Sequence, residues 1–83
     1  MKYLIVEDFA GQPSPFIFPD KVAHTDMREQ LPYTRILAAG YISVREGRFL
    51  CSGGDTELGS FARPEDAAII AASFSPPAKE KAS

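Results

Sequence analysis

Residues 35–53 read RILAAGYISVREGRFLCSG, and this stretch decides the fold. Two runs of strand-forming residues flank Glu46 and Gly47, and a two-residue loop that ends in glycine is typical of a β-hairpin. If these two residues form the loop, Arg45 lies opposite Arg48, and residues 44, 43 and 42 lie opposite residues 49, 50 and 51. The sequence therefore predicts an antiparallel hairpin with a defined register.

Side chains alternate between the two faces of a strand, so the register assigns each residue of the hairpin to one face. We expect one face to pack against the core; it carries Ile36, Ala38, Gly40, Ile42, Val44, Phe49 and Cys51. The reverse face carries the candidate interaction residues Leu37, Tyr41, Leu50, Arg45 and Arg48. An exposed apolar patch on a small domain often marks an interface, so we expect this reverse face to bind a protein partner or a second copy.

The rest of the chain predicts two further strands and two helices. Residues 2–9 (KYLIVEDF) have strand composition, and the prolines around residues 16–18 suit a short edge strand. Residues 25–31 predict a helix capped by Thr25, and residues 64–74 predict a helix that begins at Pro64. The order β-β-α-β-β-α predicts an α+β fold, with a mainly antiparallel four-stranded sheet and both helices on one face.

The length of 83 residues limits the chain to a single domain, which we place at residues 1–74, with a disordered tail at 75–83. Cys51 is the only cysteine and His24 the only histidine, so the chain lacks the ligands of a structural zinc site. We expect no metal and no cofactor. A core this small is marginal, and formation of a homodimer would extend it.

The net charge and the hydropathy of the chain bear on its partners and on its location. The net charge of −2 disfavours binding to nucleic acid, although the facing pair Arg45 and Arg48 leaves that alternative open. Only residues 3–6 form an apolar run near the N-terminus, too short for a secretory signal or a membrane span. We therefore expect a cytoplasmic protein without membrane contact.

His24 and Cys51 are the candidates for chemistry. An enzyme or ligand-binding protein would use His24 with Asp26, which follows it closely, or with Cys51. The sequence favours simpler roles, with His24 partly exposed before a helix and Cys51 buried as a small apolar residue. We accordingly predict no catalytic residue and a role other than catalysis.

Two segments, FIFPD at residues 16–20 and RPEDAAII at residues 63–70, resemble small proteins of unknown role that are common in phage and prophage genomes. The resemblance implies no activity and transfers no functional residue. Together with the composition, it favours a self-associating interaction module, an accessory factor that presents its open sheet face or the PFIFP edge at residues 15–19.

Overall fold

The computed structural model describes residues 1–33 and 35–74, so the tail predicted at residues 75–83 lies outside the described part. A four-stranded antiparallel sheet of order β2-β1-β3-β4 forms the centre, and β5 and β6 pair separately. This sheet and two helices confirm the predicted α+β fold. The elements are β1 (Lys2–Glu7), β2 (Pro13–Phe18), α1 (His24–Glu29), β3 (Ile36–Arg45), β4 (Arg48–Ser52), β5 (Gly54–Asp55), β6 (Ser60–Phe61) and α2 (Asp66–Phe74).

The central hairpin has the predicted register. Arg45 pairs with Arg48, and the pairing continues to Tyr41 opposite Ser52. The loop residues Glu46 and Gly47 have φ of 50° and 77°, the positive values that a type I′ turn requires. This turn matches the twist of the strands and sets the register.

A β-bulge at Leu37 changes the predicted assignment of faces. Ile5 pairs with Ala38 but Val6 pairs with Ile36, so Leu37 is an extra residue without a partner on β1. The bulge exchanges the two faces at this end of β3. Leu37 packs against the cluster that contains Ile70, whereas Ile36 packs against the cluster that contains Leu4. The assignment of Leu37 to the exposed reverse face is therefore wrong.

The two helices cover opposite faces of the sheet, which differs from the expectation that both lie on one face. Tyr3 of β1 is in a buried cluster with Ile70 of α2, and its neighbour Leu4 is in a second cluster with Met27 of α1. Adjacent residues of a strand point to opposite faces. The physical reason lies in β1, where residues 3–6 are all fully buried and both faces need apolar cover.

Both helices begin at a different residue from the one predicted. Helix α1 begins at His24, follows Ala23 at the N-cap and has no side-chain cap, so Thr25 lies inside the helix. Helix α2 begins at Asp66, after a turn that includes Pro64. In both cases the first residue is buried and bonded to the rest of the fold, so tertiary contacts decide where the helix begins.

Candidate functional site

The β3–β4 hairpin carries exposed apolar side chains on both of its faces. On one face Tyr41 and Leu50 are 44% and 45% exposed. On the other face Val44 is 64% exposed, although Ile42 on the same face is buried beside Ile70 of α2. On this face Phe49, the partner of Val44, still packs against the cluster that contains Ile70, so Val44 is the apolar residue that remains uncovered.

Charged groups surround the apolar residues of this surface. Tyr41, Leu50 and Ser52 line a depression together with Met1 and Asp20. The Asp20 carboxylate lies 3.1 Å from the terminal ammonium of Met1, and its side chain remains 73% exposed. At the loop, Arg45 and Arg48 are both exposed and face each other. We call Tyr41, Arg45, Arg48 and Leu50, with the depression beside them, the hairpin surface.

Four of the five residues predicted for the interaction site lie together on the hairpin surface. The fifth, Leu37, lies on the other face of the sheet, where it is partly buried against the cluster around Ile70. The local sequence could not predict the position of Leu37, because the β-bulge that causes it depends on how β1 pairs with β3.

His24 is buried, with a side-chain exposure of 2%, so the expectation of a partly exposed histidine is wrong. Its Nε2 atom lies 3.0 Å from the Gly40 carbonyl oxygen, and its Nδ1 atom lies 3.3 Å from Oδ2 of Asp55. The rings of Phe18 and Tyr41 contact it edge-on. A protonated ring donates to both oxygens, whereas a neutral ring donates to only one of them.

Asp55, and not Asp26, is the carboxylate that contacts His24. Its Oδ1 atom accepts hydrogen bonds from the backbone N–H groups of Glu57 and Leu58, at 2.8 and 3.2 Å. One carboxylate therefore shapes the loop after β5 and also holds the first residue of α1. This arrangement fastens the loop to the helix, which is a structural role for the only histidine in the chain.

Cys51 lies on the opposite side of the sheet from His24. It packs against the cluster that contains Tyr3 and Ile70, whereas His24 contacts Phe18 on the side of α1. Burial raises the pKa of the Cys51 thiol, which lowers the fraction of the reactive thiolate. The sheet thus separates the two candidate residues, and the structure does not form the proposed pair of His24 with Cys51.

A buried polar cluster that the sequence did not predict connects β1 to α2. The Tyr3 hydroxyl donates to Oδ2 of Asp66 at 2.5 Å, and the backbone N–H of Arg63 donates to the same oxygen at 2.8 Å. Nε of Arg63 donates to Oδ1 of Asp66 at 2.9 Å. Burial, with a further contribution from Asp66, raises the pKa of Tyr3 well above its ordinary value, so the phenol remains a donor.

Gly40 lies between the two polar clusters and brings them close together. A Cβ atom at this position would lie 2.7 Å from the Ser52 carbonyl oxygen and 3.1 Å from the ring of Tyr3. The carbonyl oxygen of the same residue is the partner of His24 Nε2. The absence of a side chain lets Tyr3 pass close to β3 and reach Asp66.

Within residues 1–33 and 35–74, no group of three or more histidine, cysteine or acidic side chains is placed to hold a metal ion. In the same part of the chain, no helix has the length and apolar composition needed to cross a membrane. The chain matches no protein-family model, no curated protein and no solved structure.

Proposed function

We propose that this protein is a non-enzymatic interaction module that self-associates through the hairpin surface. The main supporting observation is the exposure of two large apolar side chains on one face of the hairpin, where Tyr41 and Leu50 are 44% and 45% exposed. Full burial of a large apolar side chain contributes about 1.5–3 kcal/mol, so a few such residues suffice for association of moderate strength.

The size of the chain supports the same proposal. A domain of 83 residues buries a smaller share of its surface than a larger domain does, and its core is correspondingly weak. Contact between two copies adds apolar burial that a single copy lacks. The accessory role in phage or prophage biology that residues 16–20 and 63–70 suggest, and a location in the cytoplasm, belong to this proposal.

The proposal is tested with Leu50→Glu, which introduces a charge at the centre of the hairpin surface. Leu50 is preferable to Tyr41 because the Tyr41 ring also contacts His24, and replacing that ring by glutamate would remove this contact as well. We expect the unmodified protein to be a dimer and Leu50→Glu to be a folded monomer, as measured by light scattering and circular dichroism.

The matched control is Val44→Glu, which places the same charge on the other face of the hairpin at a position that is 64% exposed. We expect this control to weaken the dimer less than Leu50→Glu does. A monomeric unmodified protein at high micromolar concentration would refute self-association. Equal effects of the two variants would refute the assignment to the face of Leu50.

A further inference from the structure

We propose that two copies join edge to edge along β4, so that their two sheets form one continuous antiparallel sheet. This inference rests on the proposed self-association and specifies its geometry. The edge strands of the four-stranded sheet are β2 and β4. The inference is based on the direction in which the backbone hydrogen-bonding groups of these two strands point.

The backbone groups of Phe49 and Cys51 point away from β3, toward the open edge. In an antiparallel pair, bonded and non-bonded residue pairs alternate, and a tight turn bonds the Arg45 carbonyl to the Arg48 N–H. Ile42 instead bonds to Met1, with its N–H at 2.7 Å from the Met1 carbonyl and its carbonyl at 3.2 Å from the terminal ammonium. Residues 42 and 44 thus face β1, and their partners Cys51 and Phe49 face outward.

The other edge, β2, is closed to such pairing by its prolines. Since Met1 bonds to β3, the alternation assigns the even-numbered residues of β1 to β2, so Phe16 and its even-numbered neighbours bond inward. The outward positions are then Pro13, Pro15 and Ile17, and proline has no N–H to donate. Proline at outward positions is a common way to protect an edge strand, and β4 lacks it.

The segment that follows β4 leaves this edge open. The N–H of Ala62 bonds to the Gly53 carbonyl at 2.9 Å, next to the end of β4. The next residue, Arg63, directs its N–H to Asp66 instead, so the chain turns away from the edge toward α2. Among the described residues, no backbone hydrogen bond joins the outward groups of Phe49 or Cys51 to this segment, so these two residues keep their hydrogen-bonding groups for a partner strand.

If a two-fold axis passes beside Leu50, the outward backbone N–H and carbonyl groups of both copies form hydrogen bonds with each other. Phe49 then lies opposite Cys51 of the second copy, and this bonded pair occurs twice, giving about four backbone hydrogen bonds. Leu50 faces its own equivalent, which buries the exposed side chain. The register is self-complementary and follows the symmetry of most protein dimers.

The charges of the hairpin surface fit the same register. Arg48 lies opposite Ser52 of the second copy, so the arginines at position 48 do not face each other. Ser52 lines the depression that also contains the exposed carboxylate of Asp20. Arg48 of each copy then lies on the side of the joined sheet that also carries the exposed carboxylate of Asp20, so the register brings opposite charges to one face.

Hydrogen exchange of the unmodified protein tests the inference without any substitution. We expect the amide protons of Phe49 and Cys51 to exchange at least about tenfold more slowly at concentrations that give dimer than after dilution to monomer. Ile17 is the internal control, because its N–H points outward at the β2 edge and its exchange should not depend on concentration. A dimer in which Phe49 and Cys51 exchange as fast as in the monomer would overturn the inference.

Disulfide trapping gives a second, independent test. Leu50→Cys and Ser43→Cys are each made together with Cys51→Ser, so that each chain carries one thiol. Residue 50 and its equivalent form a non-bonded antiparallel pair with Cα atoms about 4.5 Å apart, close enough for a disulfide. Ser43 is exposed on the same face but pairs with Leu50 one strand further in, so its equivalents lie about 14 Å apart.

We expect mild oxidation to link chains with Leu50→Cys and to leave chains with Ser43→Cys unlinked. If both variants link equally, or if only Ser43→Cys does, the two copies pack face to face and the edge pairing is refuted. That result leaves the proposed self-association intact, whereas a monomeric unmodified protein refutes both proposals.

Discussion

The hydroxyl of Tyr3 donates a hydrogen bond to the fully buried carboxylate of Asp66 and thereby connects the first strand to the last helix. The same carboxylate accepts two hydrogen bonds from Arg63, so it is well compensated for its removal from water. Breaking one member of such a network leaves a buried charge with fewer partners. The cluster therefore stabilises the position of α2 on the sheet.

We predict that Tyr3→Phe lowers the free energy of unfolding by about 1–3 kcal/mol, because it removes one donor from the buried carboxylate. Urea denaturation measures this loss. Tyr41→Phe is the matched control, since that ring is 44% exposed, and it should change the free energy by less than about 0.5 kcal/mol. Equal losses in the two variants would show that the buried hydrogen bond contributes nothing specific.

We predict that the protein loses stability as the pH rises above about 9. Burial raises the pKa values of both Cys51 and Tyr3 above their ordinary values of 9.0 and 10.0. Above these values the unfolded chain releases protons that the folded chain retains, so the free energy of unfolding falls with pH. The stabilisation that these two groups contribute is fully present below pH 9. As the pH rises further, the free energy of unfolding falls by up to about 1.4 kcal/mol per pH unit for each group.

Urea denaturation between pH 8 and pH 11 measures this dependence. Tyr3→Phe and Cys51→Ser each remove one of the two groups, so each should give a shallower decline than the unmodified protein. A decline of the same slope in all three proteins would assign the alkaline loss of stability to other groups.

We predict that Glu46→Asp stabilises the protein. Glu46 has φ of 50° at the first loop position. At this φ, a residue other than glycine, asparagine or aspartate lowers the stability of the folded protein by about 1–2 kcal/mol. Aspartate adopts this conformation more readily and preserves the negative charge between Arg45 and Arg48. We expect a gain of about 0.5–1 kcal/mol in thermal or urea unfolding. Gly47→Ala, at φ of 77°, should act in the opposite direction, and a loss of stability in Glu46→Asp would contradict this account of the turn.

The sequence predicted those parts of the fold that depend on neighbouring residues. The loop at Glu46 and Gly47 determined the hairpin register because turn chemistry and side-chain alternation act locally. The exposed positions of Tyr41 and Leu50 followed from that register. The bulge at Leu37 was not predictable in this way, because it arises from the pairing of β3 with a strand about 30 residues earlier in the chain.

The buried polar residues show the same limit. Asp66 has the sequence pattern of a favourable charge in the first turn of a helix, but the structure uses it as the buried partner of Tyr3. His24 was predicted to be exposed, and its true partners Gly40 and Asp55 come from later segments of the chain. Contacts of this kind depend on how the elements pack, which local patterns do not specify.

The molar mass of the unmodified protein in solution tests the central claim, that the chain self-associates through its exposed hairpin. One chain has a mass of 9.1 kDa, so light scattering should give twice that value, about 18 kDa, at high micromolar concentration. Dilution should return the mass to that of one chain. A mass of 9.1 kDa throughout the concentration range would contradict the claim.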